Sequence, residues 1–157
     1  MFSFKTLSVV LAVFAASVQA ERHTVHFVNR CGHGTPQLIQ NGRVLSTGGD
    51  YTSNGPLVAA IAYLQTGNCG FNGERCITVE TTLQNPTTPG SGSSTDLSLI
   101  PPLAFSVTTG FGYYNGCNGA GASCNNQNCN TAFHKPDDNQ VQVACQQNDV
   151  NLAITFC

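Results

Sequence analysis

Val150-Asn151-Leu152-Ala153-Ile154-Thr155-Phe156-Cys157 alternates large apolar residues with smaller or polar ones and ends on a cysteine. That two-residue period is the pattern of a β-strand with one buried face. Its expected partner is the stretch from His23 to Cys31, in which Val25 and Phe27 alternate before another cysteine. If Cys31 bonds Cys157, both ends of the domain are fixed into one sheet. Closing so long a loop removes unfolded-state entropy worth about 4–5 kcal/mol in the chain-entropy account. The chain between is then read as insertions on a terminally stapled β-scaffold.

Outward from that frame, residues 1–20 read as a secretory signal peptide. Lys5 precedes an apolar run from Leu7 to Ala16, and small residues close the segment at Val18-Gln19-Ala20. The run is too short to span a bilayer, so a secreted, extracellular domain over residues 21–157 is expected. Those residues suit one domain with its own core. Eight cysteines in a secreted chain of this size imply four disulfides. No CxxC pair supports a zinc ribbon. From Glu21 onward five basic residues face eight acidic ones, a net of −3 with neutral histidines. Nucleic acid and anionic membrane are therefore excluded as expected partners, since both need a basic patch. The remaining surface is polar through Asn, Gln, Ser, Thr and Gly, a composition that suits sugars.

The interior reads as hairpins. Gln37–Gln40 and Arg43-Val44-Leu45 flank an Asn41-Gly42 turn signal. Leu57 to Leu64, eight residues just after Gly55-Pro56, reads as a buried strand. Cys69 and Cys76 bound a tight Gly/Asn loop and form the natural local bridge. The following strand, Ile77 to Leu83, puts Ile77, Val79, Thr81 and Leu83 on one face and Glu80 on the other. Asn85 to Thr95 is expected to be a surface loop. Asp96–Ile100 and Leu103–Val107 are expected strands, and Asn115 to Asn130 an irregular lobe held by disulfides. Val141–Cys145 resumes strand alternation. With turn signals at short spacing and no amphipathic helix, the fold class is an all-β antiparallel sandwich.

Several of these pieces, in order, resemble the thaumatin-like protein family. Thr24-Val25-His26-Phe27-Val28-Asn29-Arg30-Cys31 is similar to its first strand, and Gly42-Arg43-Val44-Leu45 with Gly48-Gly49-Asp50-Tyr51 to its next hairpin. Thr66-Gly67-Asn68-Cys69-Gly70 resembles its TGDCGG-type loop. Val79-Glu80-Thr81-Thr82-Leu83 and Asp96-Leu97-Ser98-Leu99-Ile100 resemble two further strands, and Cys129, Ala132-Phe133, Lys135-Pro136, Cys145 and Ile154–Cys157 its end. The resemblance covers nearly all of residues 21–157. It implies a disulfide-rich thaumatin-like β-sandwich with bridges Cys31–Cys157, Cys69–Cys76, Cys117–Cys145 and Cys124–Cys129. It also implies a compact, small-type member lacking the second, cysteine-rich domain of larger relatives.

The resemblance further implies where chemistry would sit. In larger relatives an acidic cleft is associated with β-1,3-glucan, and the matching residues here are Glu80 and Asp96. Two carboxylates about 5 Å apart suit a retaining glycosidase, and roughly 6.5–9.5 Å an inverting one. Ser93 stands where the family usually has another aspartate, and without the second domain's wall a carboxyl is expected to be less desolvated. The leading expectation is thus non-catalytic binding of cell-wall polysaccharide, with Glu80, Asp96, Tyr113 and Tyr114 as ligand residues. A weak endo-β-1,3-glucanase using Glu80 and Asp96, and an inhibitor of a secreted hydrolase, are the alternatives. Phe111, Tyr51 and Tyr63 complete the aromatic inventory for stacking on pyranose rings. A chain trimmed to His23 could bind copper with His33 or His134, but Glu21-Arg22 would first have to be removed. No metal or cofactor is expected, the partner is cell-wall polysaccharide or a secreted protein, and the protein is expected to be a monomer.

Overall fold

The computed structural model describes residues 20–157, so the expected leader lies outside the described residues except for Ala20. Eleven strands and one short 3₁₀ turn make up the regular structure among them. In chain order the strands are β1 (Arg22–Asn29), β2 (Thr35–Gln40), β3 (Arg43–Ser46), β4 (Tyr51–Asn54), β5 (Leu57–Gln65), β6 (Thr78–Leu83), β7 (Ser93–Ser98), β8 (Thr109–Tyr114), β9 (Gly121–Cys124), β10 (Val143–Cys145) and β11 (Asn151–Phe156). They form a five-stranded sheet, β4-β1-β11-β8-β9, and a six-stranded sheet, β10-β7-β6-β5-β2-β3.

The first and last strands lie side by side and run parallel, with Val25 opposite Leu152 and Phe27 opposite Ile154. Alternation drives the pairing: Leu152, Ile154 and Phe156 are wholly buried, as is Val25. Phe27 and Phe156 stack with ring centroids 6.3 Å apart. Because the two strands run the same way, Cys31 and Cys157 emerge at the same end of the sheet and are bonded there. The other bridges are Cys69–Cys76, Cys117–Cys145 and Cys124–Cys129.

The two sheets enclose one apolar core, to which Leu38, Leu57, Val79, Leu97, Phe111, Leu152 and Ile154 contribute. A buried polar relay crosses it. The Tyr113 hydroxyl lies 2.9 Å from both Thr95 Oγ1 and the Val143 carbonyl, and Thr95 Oγ1 lies 2.6 Å from Thr81 Oγ1. A phenol has one hydrogen and a carbonyl has none, so Tyr113 donates to Val143 and accepts from Thr95. Removing the hydroxyl takes this donor from the buried Val143 carbonyl and leaves Thr95 with Thr81 as its partner. Tyr113→Phe is expected to lower stability by about 1–3 kcal/mol, read as a reduced midpoint in urea unfolding with an unchanged slope.

Four expectations need correction. The sandwich is not antiparallel throughout: β1 and β11 pair parallel, which makes the five-stranded sheet mixed. Ser93-Ser94-Thr95 belongs to β7 rather than to a loop, because that backbone is paired on both sides, with β6 and with β10. Two of its hydroxyls are satisfied internally, Thr95 by the relay and Ser93 by the Gln84 backbone N–H at 3.0 Å, while Ser94 lines the outer face. Leu103–Val107 is not a strand. It runs beside residues 75–77 through isolated contacts such as Ala104 N–H to the Cys76 carbonyl, without a ladder. The lobe after Asn115 is more regular than expected, since β9 pairs with β8. Gly121 permits this: a β-carbon there would collide with the Phe111 carbonyl oxygen.

Candidate functional site

Strand register across the six-stranded sheet sets one row of side chains on its outer face. Val44 lies opposite Ile39, Ile39 opposite Ile61, Ile61 opposite Glu80, and Glu80 opposite Asp96. The row runs from apolar to acidic. Glu80 faces outward because its neighbours Val79 and Thr81 are buried in the core, as alternation predicts. Thr82 and Ser94 form the next pair along on one side, and Thr78 and Ser98 the pair on the other.

A groove of about 280 Å³ opens over the acidic end of this row, with Ile61, Glu80, Thr82, Ser94, Asp96 and Gln142 among its walls and floor. It contains no cationic side chain. A bulge in β5 shapes its rim. The pairing slips between Leu57 and Ala60, and Ala59, at φ +52°, turns its amide to the Thr82 hydroxyl at 3.0 Å. Such a left-handed alanine is strained, and bulges of this kind re-aim a strand locally.

The two carboxyls sit in different surroundings. Glu80 is exposed, whereas Asp96 retains only 7% of its accessible surface. Burial, and secondarily the charge of Glu80, push the Asp96 carboxyl up to about 7, and a hydrogen bond from Gln142 opposes the rise. Glu80 is thus a solvated surface carboxyl, whereas Asp96 is largely desolvated. Among the described residues Asp96 Oδ1 has no hydrogen-bond partner, nor do the buried Thr78 Oγ1 and Ser98 Oγ on the neighbouring pair. A carboxyl near its midpoint beside a solvated carboxylate can both donate and accept hydrogen bonds, which is what a vicinal diol requires.

The expected aromatic residues are not brought to this groove. Tyr113 lies in the core relay, and Phe111 is buried with its ring edge-on to Tyr113 at 6.3 Å. Tyr114 alternates out to the far face of the other sheet, half-buried, where burial and the charge of Asp50 raise its phenol. Tyr63 is buried on the groove-bearing face, beneath the Cys69–Cys76 loop, with Ile39, Cys69 and Cys76. The sequence reading overlooked Phe71 in that loop, which is 50% exposed. Its signal was an aromatic residue set among Gly and Asn inside a short disulfide loop.

His23 is not available to a metal. Its imidazole is buried, with Nδ1 2.6 Å from the Val150 carbonyl and Nε2 3.0 Å from Glu21 Oε1. The same carboxylate oxygen accepts the Asn85 amide at 2.6 Å, so Glu21 closes a network around the start of β1. His134 spends Nε2 on the Cys129 carbonyl. Among the described residues no three His, Cys, Asp or Glu side chains converge in the manner of a metal site.

The structure thus defines a class: an all-β, two-sheet protein with four disulfides and an uncovered, cation-free acidic groove on one outer face. No protein-family model matches the chain, and no curated protein matches it.

Proposed function

We propose that this is a secreted thaumatin-like protein that binds neutral cell-wall polysaccharide, with β-1,3-glucan the first substrate class, without cleaving it. The observation that carries the reading is the Glu80–Asp96 pair on the floor of an open groove lined by hydroxyl, amide and carboxyl groups and free of cations. A neutral polyol suits such a lining: its hydroxyls hydrogen-bond to carboxyl and amide groups, and it brings no charge that the acids would repel. Four disulfides, and no helix among the described residues long and apolar enough to cross a membrane, accord with an extracellular protein. The ordered motifs from Thr24 to Cys157 support the family reading.

The test is depletion of the protein from solution by insoluble β-1,3-glucan, with chitin and xylan as controls. Selective depletion is expected, weakened about tenfold in Glu80→Gln by loss of one charge-assisted hydrogen bond. No depletion by any of the three would sink the reading and turn attention to inhibition of a secreted hydrolase through the loops.

One observation favours a second reading. An Asp96 carboxyl held up to about 7 lies in the range of a general acid, next to the exposed carboxylate of Glu80. A weak endo-β-1,3-glucanase would release reducing ends from glucan and lose that release in folded Glu80→Gln.

A further inference from the structure

Three large apolar side chains are exposed among the described residues, Val44, Val58 and Phe71, and Phe71 is the aromatic one. It belongs to neither apolar cluster, so the fold does not require a phenyl ring there. Its backbone, by contrast, is held tightly. The Cys69–Cys76 bridge closes a loop of only seven residues' separation. Inside it the Gly70 N–H bonds the Glu74 carbonyl at 2.9 Å, and the Glu74 carboxylate accepts the Asn72 amide at 3.0 Å. The buried Tyr63 hydroxyl donates to the Phe71 carbonyl at 3.0 Å. Gly73, at φ +82°, lies so close on Thr78 and Tyr63 that a β-carbon would strike the Thr78 methyl group. The loop is therefore seated on the groove-bearing face and cannot fold its tip away.

The placement relative to the groove follows from the strands. Thr78 and Ser98 are the pair next to Glu80 and Asp96 on the same two strands. Two residues along a strand advance by about 6.5–7 Å. The loop is seated on Thr78 and Tyr63, so it lies one row of side chains from Glu80 and Asp96, on the side away from Thr82 and Ser94. An exposed ring on a rigid support next to a cation-free polyol site has the two properties a sugar platform needs: C–H surface to bury and little ordering entropy to lose.

We propose that Phe71 is a sugar-stacking residue, packing its ring against the C–H face of one pyranose of a chain that continues over Glu80 and Asp96. This rests on the polysaccharide reading above. The chain contains no tryptophan, so Phe71→Trp introduces a single indole reporter at the position in question. Titrating soluble β-1,3-glucan into the full protein by calorimetry should give affinity reduced about tenfold in Phe71→Ala and preserved in Phe71→Trp. The indole emission of Phe71→Trp should shift with the same midpoint as the heat signal. The thermal midpoint of Phe71→Ala should match that of the unsubstituted protein, which separates lost contact from lost fold. If the unsubstituted protein binds glucan and Phe71→Ala binds equally well, or the indole emission does not move at saturation, the stacking role is overturned and the groove reading stands. If the unsubstituted protein does not bind glucan, the groove reading itself falls and the stacking role with it.

Discussion

Replacing Cys31 and Cys157 together by serine is expected to lower the unfolding free energy by about 4–5 kcal/mol, the largest loss of any single bridge in the protein. The bridge joins residues 126 apart, so its removal frees nearly the whole chain in the unfolded state. It also lies just beyond the ends of two neighbouring parallel strands, and β11 sits between β1 and β8 in the centre of its sheet. Loss of the staple therefore frees a central strand rather than an edge. The Cys124–Cys129 bridge is the internal control: it closes a separation of five residues, and the same chain-entropy argument assigns it only about 2 kcal/mol. Urea unfolding of the two double-serine variants measures the contrast. Equal losses would show that the terminal staple acts through local contacts at its ends and not through the length of chain it closes.

The end strands and the direction of Glu80 were legible because alternation alone decides them. Leu152, Ile154 and Phe156 on one face, and Val79 flanking Glu80, leave a single register that buries the apolar set. What was not legible depended on segments distant in sequence. Ser93-Ser94-Thr95 is polar enough to read as loop, but Gln84, Thr81 and Tyr113 satisfy the Ser93 and Thr95 hydroxyls from elsewhere in the chain. In β8, period two requires Tyr113 and Tyr114 to face opposite ways, yet nothing local says which one enters the core; the Val143 carbonyl on β10 takes Tyr113. The glycines in and beside β8 and β9 read as lobe, whereas Gly121 is what lets those two backbones meet. The acid pair followed from sequence order, but the burial of Asp96 did not, because part of its cover, Gln142, arrives from 46 positions later in the chain. Phe71 went unread for the opposite reason: nothing covers it, and an uncovered ring has no periodic signature.

Asp96→Asn is expected to stabilise the protein in mildly alkaline solution and to change little in acid. In the unfolded chain an aspartate titrates near 3.9, whereas in the fold Asp96 is raised to about 7. Between about pH 4 and pH 7 the native state therefore holds a proton that the unfolded state has released. Stability falls as pH rises through that window and levels off above it, since at higher pH the fold must carry an ionised, buried carboxylate. Subtracting the unfolding free energy of Asp96→Asn from that of the native sequence cancels other titrations. The difference should be near zero at pH 4 and reach about 2–4 kcal/mol in favour of the asparagine at pH 8. A difference independent of pH would mean that Asp96 is ionised throughout and that the groove contains two ordinary carboxylates. Glu80→Gln separates the causes. Burial is the larger contribution and the charge of Glu80 the smaller, so this variant should lower the upper edge of the window, narrowing it without abolishing it. A window that vanished in Glu80→Gln would instead make the pair a charge-coupled dyad, and would shift weight from polysaccharide binding toward acid–base chemistry at the same two residues.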